Sequence, residues 1–385
     1  MIRIAFVHNN FPAGGAERVT IDIASYLKGF EGYEVFVYAH RIRTDAGRHN
    51  IILRQIPSQV IQSRRSKAIE KFVIADKIGI LVQVGKSLHD IEGIKERTGV
   101  KVVLACHGEV FWQRHAIMNR RRNKRLLWKL FYRKRYQDGS LAMKMAQNRS
   151  LHDYITCDAY TVLCEGYRQQ FEKAFDIKSS ESKIWAIENC ERPVERINYD
   201  KKKTALFCGR LENWSKRIDS LLCIWQKVQY RLPDWTLKIV GGGKDEAMLR
   251  EYAASLGLER VEFAGMQSDP SRFYDEASLV LMTSETEGWP LILMEAMAMG
   301  CICMAFNCSE GVRSIFGEGA LKEFCIDGRN EDSYATKLIE TASMAEEKIF
   351  QTRRMCVENV SRFAPEIIMP KWKKLFDTLI ENDKN

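Results

Sequence analysis

The sequence predicts an α/β protein built from two doubly wound parallel sheets. The chain has 385 residues, more than one ordinary hydrophobic core organises, so two domains are expected. Short apolar runs of the kind that form buried strands alternate with helical stretches, an order typical of βαβ units. The alternation is interrupted near residues 189–200, where Pro193 lies in a polar run, and then starts again.

The first series of elements predicts an N-terminal domain of residues 1–195. Helical stretches between its strands include Ala16–Lys28 and Lys86–Thr98. The predicted strands are Ile2–Val7, Glu34–Ala39, Ile78–Val82, Lys101–Cys106 and Ala159–Leu163.

The second series predicts a C-terminal domain of residues 200–364, with helices that include Arg217–Tyr230 and Leu291–Met299. A last amphipathic helix, Pro370–Ile380, is expected within residues 365–385 and is expected to pack back on the N-terminal domain. The predicted strands of the second series are Thr204–Cys208, Thr236–Val240, Arg260–Ala264, Ser278–Met282 and Ile302–Ala305.

The basic character of the chain comes from one segment. The formal net charge is +9, from 59 Lys and Arg against 50 Asp and Glu, and Arg114–Arg135 holds ten of the basic residues and no acidic one. Leu126, Leu127, Leu130 and Phe131 recur there at helical spacing. A basic amphipathic helix suits a membrane interface, so the segment predicts binding to an anionic membrane surface. A solvated helix packed on its own domain is the alternative.

Other features exclude several classes of protein. No run of about 20 apolar residues is present, so no transmembrane helix is predicted. The run Met1–Val7 is shorter than a signal-peptide core and predicts a buried strand. The eleven cysteines lie mostly in apolar runs without metal-ligand spacing. They predict free thiols in a reducing compartment and no metal site. The protein is therefore expected in the cytoplasm, and on the inner face of the membrane if the basic segment binds there.

The strongest chemical signal is the segment Glu285–Gly300. A predicted strand ends near Met282, and a helix follows with Pro290 in its first turn. Glu287 precedes this helix and Glu295 lies in its second turn, so both can reach a ligand bound over the helix start. Backbone N–H groups at a helix start bind phosphate, whereas carboxylates repel it. The two glutamates are therefore expected to face neutral hydroxyls of a sugar or ribose; a solvated pair is the alternative.

Two further loops between a strand and a helix carry ligand-binding residue types. In Cys208–Arg217, the cations Arg210 and Lys216 flank the loop and are placed to hold a diphosphate from two sides. Ordinary surface cations are the alternative. Before the first helix, Gly14 and Gly15 permit close approach of a ligand to the backbone.

One histidine and one glycine turn also follow predicted strands. His107 comes directly after Lys101–Cys106, where it is placed for catalysis or sugar contact; a structural histidine is the alternative. Gly241–Gly243 follows the strand that ends at Val240. Ligands of parallel sheets bind at the carboxyl ends of the strands, so these segments predict sites that face a cleft between the two domains.

Together these motifs resemble those of the family 4 retaining glycosyltransferases, which have the GT-B fold of two Rossmann-like domains facing a cleft. The run Gly14–Val19 is similar to the family's first loop, and His107 to its N-domain histidine. Gly209–Leu211 with Lys216 is similar to its phosphate clamp, and Glu287–Glu295 to its E-x7-E motif. Four motifs in this order extend over nearly the whole chain.

The resemblance implies a reaction and roles for individual residues. Glu287 would contact the transferred sugar opposite His107, while Arg210 and Lys216 would hold the diphosphate. The expected donor-binding set is completed by Gly14, Gly15, Met266, Gly288, Trp289, Leu291 and Glu295. The implied activity moves a hexose or N-acetylhexosamine from a nucleotide-diphosphate sugar, expected to be a UDP-sugar, to a polysaccharide or lipid-linked glycan. It would proceed with retention, require no metal or other cofactor, and serve the synthesis of cell-surface polysaccharide such as lipopolysaccharide or capsule.

Other functions stay open at this point. A nucleotide-sugar-binding protein without turnover would share the same site. A nucleic-acid-binding protein could use Arg114–Arg135, but no recognition motif accompanies that segment, so no nucleic-acid partner is expected. A phosphorylase-like enzyme on the same fold would need a cofactor lysine context that is not evident.

We predict that the basic segment binds anionic vesicles. Each Lys or Arg near such a surface contributes about 1 kcal/mol, so the chain should sediment with anionic vesicles at low salt and be released at high salt. Reversing the charges of Arg120, Arg121 and Arg122 should remove the binding. Equal recovery on neutral and anionic vesicles, or unchanged binding of the triple variant, would contradict this prediction.

Overall fold

A computed structural model describes residues 1–12, 14–43, 51–57, 62–85, 88–115, 117 and 140–381. The chain divides into two compact units, one of Met1–Glu188 with Ile368–Asn385 and the other of Asn189–Ile367. The predicted amphipathic helix of the basic segment lies outside the described residues, apart from residues 114, 115 and 117. No helix in the described part of the chain is long and apolar enough to cross a membrane.

The first unit contains a seven-stranded sheet in which every pairing is parallel. Ile4 to Val7 are all buried, as expected where both faces of a parallel sheet are covered. The strands are β1 (Ile2–Phe11), β2 (Tyr33–Ile42), β3 (Ile52–Gln55), β4 (Ile80–Val84), β5 (Lys101–Ala105), β6 (Ala159–Val162) and β7 (Ile184–Ala186). The α-helices before residue 189 in the described part of the chain are α1 (Gly15–Leu27), α2 (Gln62–Ala75), α3 (Ile91–Thr98), α4 (Ser140–Thr156) and α5 (Glu165–Phe175).

The second unit contains a six-stranded sheet, again with parallel pairing throughout. Its strands are β8 (Lys202–Cys208), β9 (Thr236–Val240), β10 (Val261–Gly265), β11 (Ala277–Met282), β12 (Ile302–Phe306) and β13 (Cys325–Ile326). Its described helices are α6 (Asn213–Lys216), α7 (Ile218–Val228), α8 (Glu246–Ser255), α9 (Ser271–Glu276), α10 (Leu291–Ala298), α11 (Glu310–Phe316), α12 (Glu331–Ala342) and α13 (Glu346–Ser361).

Both sheets are doubly wound in the same way. The orders are β3-β2-β1-β4-β5-β6-β7 and β10-β9-β8-β11-β12-β13. In each sheet the chain starts in the middle, adds two strands on one side and then adds the others on the opposite side. The direction therefore reverses between β1 and β4, and between β8 and β11. Ligands of open α/β sheets bind beyond the carboxyl ends of the strands at such a reversal.

Two predicted helix starts were wrong. The helix expected over Lys86–Thr98 begins only at Ile91, because residues 88–90 precede it as a turn in which the backbone N–H of Leu88 donates to the side chain of Gln83 at 2.6 Å. The last helix, α14 (Pro365–Glu381), begins five residues before the predicted start. Pro370 lies inside it; its ring removes one helical N–H but leaves the helix continuous.

Helix α14 packs on the first sheet although it follows the second unit in sequence. Phe376 is fully buried and meets the ring of Phe6 edge-on, with 6.5 Å between the ring centroids. The hydroxyl of Tyr33 donates to Asp377, and Lys371 pairs with Glu188 at 2.6 Å. The apolar face of this helix thus completes the core of the first unit.

We predict that Phe376→Ala destabilises the first unit by about 3–5 kcal/mol, the usual cost of removing a buried phenyl ring. Hydrogen exchange should then accelerate in peptides of β1 and β2 and stay unchanged in peptides of the second sheet. Lys374→Ala, on the exposed side of the same helix, is the matched control and should change neither. Faster exchange in both sheets would show that the two units do not unfold separately.

Candidate functional site

The loop after β8 is held in place by the glycine turn after β9. The backbone N–H of Gly209 donates to Val240 at 2.9 Å, and that of Leu211 donates to Gly242 at 3.0 Å. A Cβ atom on Gly241 would overlap the carbonyl oxygen of Gly209, and one on Gly243 would overlap that of Leu211. The glycines of the turn therefore permit close approach of another backbone segment, namely the loop that carries Arg210.

An ion pair lies at the reversal of the second sheet. Lys216 Nζ, at the end of α6, donates to Glu287 Oε1 at 2.6 Å. The hydroxyl of Ser284, just after β11, donates to the same oxygen at 2.6 Å. The side chains of Lys216 and Glu287 are only 20% and 12% exposed, so both charges are largely removed from water. The structure thus brings together two residues that are 71 positions apart and that the sequence assigned to one site.

Further hydrogen bonds join the loops after β8 and β11. Thr283 Oγ1 donates to the carbonyl oxygens of Lys216 and Arg217, at 3.2 and 2.9 Å. The backbone N–H of Glu285 donates to Ser215 at 2.7 Å. Arg217 has a positive φ of 48°, which lets the chain turn sharply from α6 into α7. These contacts fix the backbone on both sides of the ion pair.

Arg210 and Met266, in the loops after β8 and β10, are exposed to solvent. The side chain of Arg210 is 73% exposed, and its nearest carboxylate, in Glu212, is 3.5 Å away. Met266 follows β10, is 72% exposed, and lies beside Gly242, whose added Cβ would be 3.4 Å from the Met266 side chain. Both side chains are therefore accessible to a ligand next to the Gly209–Leu211 loop.

Glu295, in the second turn of α10, is held from α9. The hydroxyl of Tyr274 donates to Glu295 Oε2 at 3.2 Å. Burial, reinforced by the nearby carboxylate, raises the pKa of Tyr274 well above its usual range, so the phenol stays protonated and remains a donor.

The segment before α10 divides between core and surface. The side chain of Trp289 is buried, donates to Met294 Sδ at 2.6 Å, and meets Phe363 edge-on at 5.1 Å. Trp289 was expected to bind the donor, and with its side chain in the core only its backbone is left for that contact. Gly288 and Leu291 are half-buried just before and at the start of the helix.

The first unit has its own pocket at the reversal between β1 and β4. Its volume is about 450 Å³. His107, directly after β5, lines it. The other lining residues are His8, Asn9, Asn10, Ala16, Glu17, Val84, Gly85, Gly108 and Trp112.

The carboxylate of Glu17 occupies the start of α1. One oxygen lies 3.5 Å from His8 Nδ1, and the other lies 3.2 Å from where a side chain on Gly14 would begin. Burial alone would raise the pKa of Glu17, but the hydrogen bond from His8 and the charges of His8 and His107 lower it below its usual value. A phosphate approaching Gly14 and Gly15 would therefore meet an ionised carboxylate.

The described residues contain no group of three His, Cys, Asp or Glu side chains that could hold a metal ion. The cysteines all lie within the described ranges and form no disulfide bond.

Comparison with known proteins identifies the family. The model of the group 1 glycosyl transferases matches residues 191–362, which lie within the second unit. An uncharacterised glycosyltransferase of Haemophilus influenzae is 30% identical over 314 residues, which is 80% of this chain and 82% of that protein. The chain belongs to the group 1 glycosyl transferases.

More distant relatives and solved structures agree with this assignment. The amylovoran biosynthesis glycosyltransferase AmsD of Erwinia amylovora is 27% identical over 58% of this transferase and 63% of its own length. The lipopolysaccharide 1,6-galactosyltransferase of Salmonella typhimurium is 32% identical over 36% of this chain and 39% of its own. HepE of Anabaena, solved with UDP-glucose, superposes with a TM-score of 0.73, 16% identity, and coverage of 99% of this chain and 100% of that one. These likenesses confirm the predicted GT-B fold.

Several contacts of this transferase were not predicted from the sequence. Ser284 and Thr283 directly follow a strand at the reversal, a position that could have marked them. Tyr274 and Trp112 carry no such signal, because their side chains reach their sites only through the fold. The Glu17–His8 contact needs both β1 and α1 in place.

We predict that Gly241→Ala disturbs the Arg210 loop. The new methyl group overlaps the Gly209 carbonyl, and the φ of +137° at residue 241 is unfavourable for alanine. Thermal unfolding should reveal a loss of about 1–3 kcal/mol, and hydrogen exchange should increase in residues 209–217. Gly319→Ala is the matched control, since its Cβ meets open space at ordinary φ. If the two variants have the same stability and the same hydrogen exchange, the glycine turn does not hold the Arg210 loop in place.

Proposed function

We propose that this transferase moves a hexose or N-acetylhexosamine from a UDP-sugar to a polysaccharide or lipid-linked glycan, with retention of anomeric configuration. The observation that carries the proposal is the Lys216–Glu287 pair at the reversal of the second sheet, with Arg210 exposed in the same loop after β8 that leads to Lys216. Two cations after β8 and a carboxylate after the neighbouring strand β11 suit a ligand that is anionic at one end and hydroxylated at the other. A nucleotide-diphosphate sugar is such a ligand.

The diphosphate is assigned to Lys216, Arg210 and the start of α10. An ammonium group has three N–H donors, and the bond to Glu287 uses one of them. The guanidinium of Arg210 is accessible and can bind a phosphate in bidentate fashion. Negative charge grows on the leaving phosphate as the glycosidic bond breaks, and these groups stabilise it without reorganisation. We therefore propose transfer without a bound metal.

The transferred sugar is assigned to Glu287. Lys216 and Ser284 both bind one of its oxygens, Oε1, which orients the carboxylate. Glu295, oriented by Tyr274, is assigned to the ribose in the same way. His107 is assigned to the sugar from the first unit. No side chain is assigned as a nucleophile, and the departing phosphate would accept the proton of the attacking hydroxyl, which favours front-face attack and retention.

The acceptor class follows from the relatives. Their names place them in amylovoran and lipopolysaccharide synthesis. A cell-surface glycan is therefore proposed as the acceptor here, reached at the membrane through the basic segment within residues 114–135.

We predict that Arg210→Ala weakens UDP binding without changing stability. The lost charge-assisted contact should cost about 1.5–3 kcal/mol of binding free energy, whereas an exposed charge contributes little to folding. Calorimetric titration and thermal unfolding give the two quantities. Arg231→Ala, an exposed arginine of the same unit, is the control. If both variants bind UDP as the parent does, Arg210 has no part in the donor site.

We predict that Glu287→Gln lowers turnover more than donor affinity. Its contact with the sugar matters most as charge develops in the transition state. Transfer should be screened against a panel of nucleotide sugars with EDTA present, and the anomeric configuration of the product read by NMR. Glu251→Gln, exposed on α8, is the control.

Donor binding without hydrolysis or transfer for any sugar would favour a non-catalytic nucleotide-sugar-binding protein. An inverted product would overturn the retaining mechanism, and activity lost in EDTA and restored by a divalent cation would overturn the metal-free one.

A further inference from the structure

We infer that Arg65 and His40 form a binding site in the first unit for an anionic group, phosphate or carboxylate, carried by the acceptor. The inference rests on the proposed transfer reaction and adds a contact for its acceptor outside the pocket that His107 lines. Arg65 is the fourth residue of α2, and His40 lies near the carboxyl end of β2. The two side chains come from different elements, so the fold brings them together.

The guanidinium of Arg65 is a half-buried charge without a counter-ion in the described part of the chain. Its Nε is buried and has no hydrogen-bond partner. Burial lowers the pKa of Arg65, and no carboxylate opposes this effect. The contrast is Arg54, whose hydrogen bonds to Asp76 raise its pKa. A charge withdrawn from water is costly unless an opposite charge compensates it, so Arg65 suits an anion that a ligand supplies.

His40 adds a second buried nitrogen without a partner. Its Nδ1 makes no hydrogen bond within the described residues. Burial, and after it the charge of Arg65, lowers the pKa of His40, and the backbone of Ile56 and Pro57 opposes this with a smaller effect. The imidazole is therefore neutral at pH 7.5 and lies close enough to Arg65 to respond to its charge. A neutral imidazole can carry its proton on Nδ1 and donate it to an anion.

The site lies next to the pocket of the first unit. His40 stands in β2 between two residues that pair with His8 and Asn10 of β1. Both of these β1 residues line the pocket, so His40 is one strand away from it. Neighbouring strands of a sheet are about 5 Å apart. An acceptor that places one sugar in the pocket can therefore carry an anionic group to the neighbouring site.

The chemistry of the two side chains favours an oxyanion over other ligands. A guanidinium binds phosphate or carboxylate through two parallel N–H···O bonds. A neutral hydroxyl can accept one such bond, but it leaves the half-buried charge of Arg65 uncompensated. A cationic ligand would add like charge at close range. Phosphate and carboxylate share the oxygens and the negative charge that this site lacks.

The test is a calorimetric titration at pH 7.5 and fixed ionic strength, with UDP present at saturation to keep phosphate out of the donor site. The probes are glucose 6-phosphate, methyl glucuronide and the neutral methyl glucoside. We expect at least one anionic probe to bind about tenfold or more tightly than the neutral one, and the stronger of the two identifies the preferred oxyanion. In Arg65→Gln this preference should fall to about twofold or less. Arg64→Gln, the exposed neighbour on α2, is the matched control and should keep it.

Two further measurements separate a ligand site from a structural role. Arg65→Gln removes a charge without a counter-ion, so its thermal stability without ligand should equal or exceed that of the parent. Lower stability would show that Arg65 stabilises the fold and would count against the site. The ring signals of His40, assigned by NMR with the help of His40→Gln, should shift when the preferred anionic probe is added to the parent. They should not shift in Arg65→Gln.

The remaining outcomes each decide between this site and an alternative. Equal binding of neutral and anionic probes by the parent would overturn the inference, as would an unchanged preference in Arg65→Gln or an equal loss in Arg64→Gln. Binding to anionic vesicles that is lost in Arg65→Gln, with no preference among the soluble probes, would assign the site to a lipid headgroup instead of the acceptor. UDP binding should be the same in all variants. Failure of transfer by the parent, with the anion preference intact, would overturn the proposed function and leave the anion site.

Discussion

Burial of both faces of a parallel sheet is the constraint on which the other features depend. Strands such as β1 and β11 are apolar on both faces, so polar side chains gather where the strands end. All strands of a sheet end at the same edge, and the winding reverses between one pair of strands. The helices that leave on opposite sides open a space there. Both candidate sites lie at such a reversal, and neither depends on an unusual element.

The ion pair of the second unit shows how this space is used. Two largely buried charges would be costly without partners, and Lys216 and Glu287 satisfy each other. Removing either would leave the other uncompensated, so function and local stability are coupled at this pair. Arg210 differs, because it is exposed and its loop is held through backbone contacts with the 241–243 turn. The second unit therefore combines one cation fixed by a carboxylate with one that is largely exposed.

The sequence predicted the central elements well and the edges poorly. Long apolar runs such as β1 and β8 carry a clear signal, whereas the edge strands β3, β7 and β13 have two to four residues and were missed. Among the site residues, spacing placed Lys216 and Glu287 in one site, because both follow strands at the same reversal. Spacing could not show that the Trp289 side chain packs in the core, or that the Tyr274 hydroxyl donates a hydrogen bond to Glu295. Spacing along the chain indicates which edge a residue reaches, but packing decides where its side chain points.

The two units show how one topology supports opposite electrostatics. Each has a helix beginning near the reversal of its sheet, and a helix start by itself favours an anion. In the second unit Lys216 and Arg210 strengthen that preference. In the first unit the carboxylate of Glu17 lies against Gly14 at the start of α1. The residues around each helix start, rather than the fold, therefore determine the charge that a ligand would meet there.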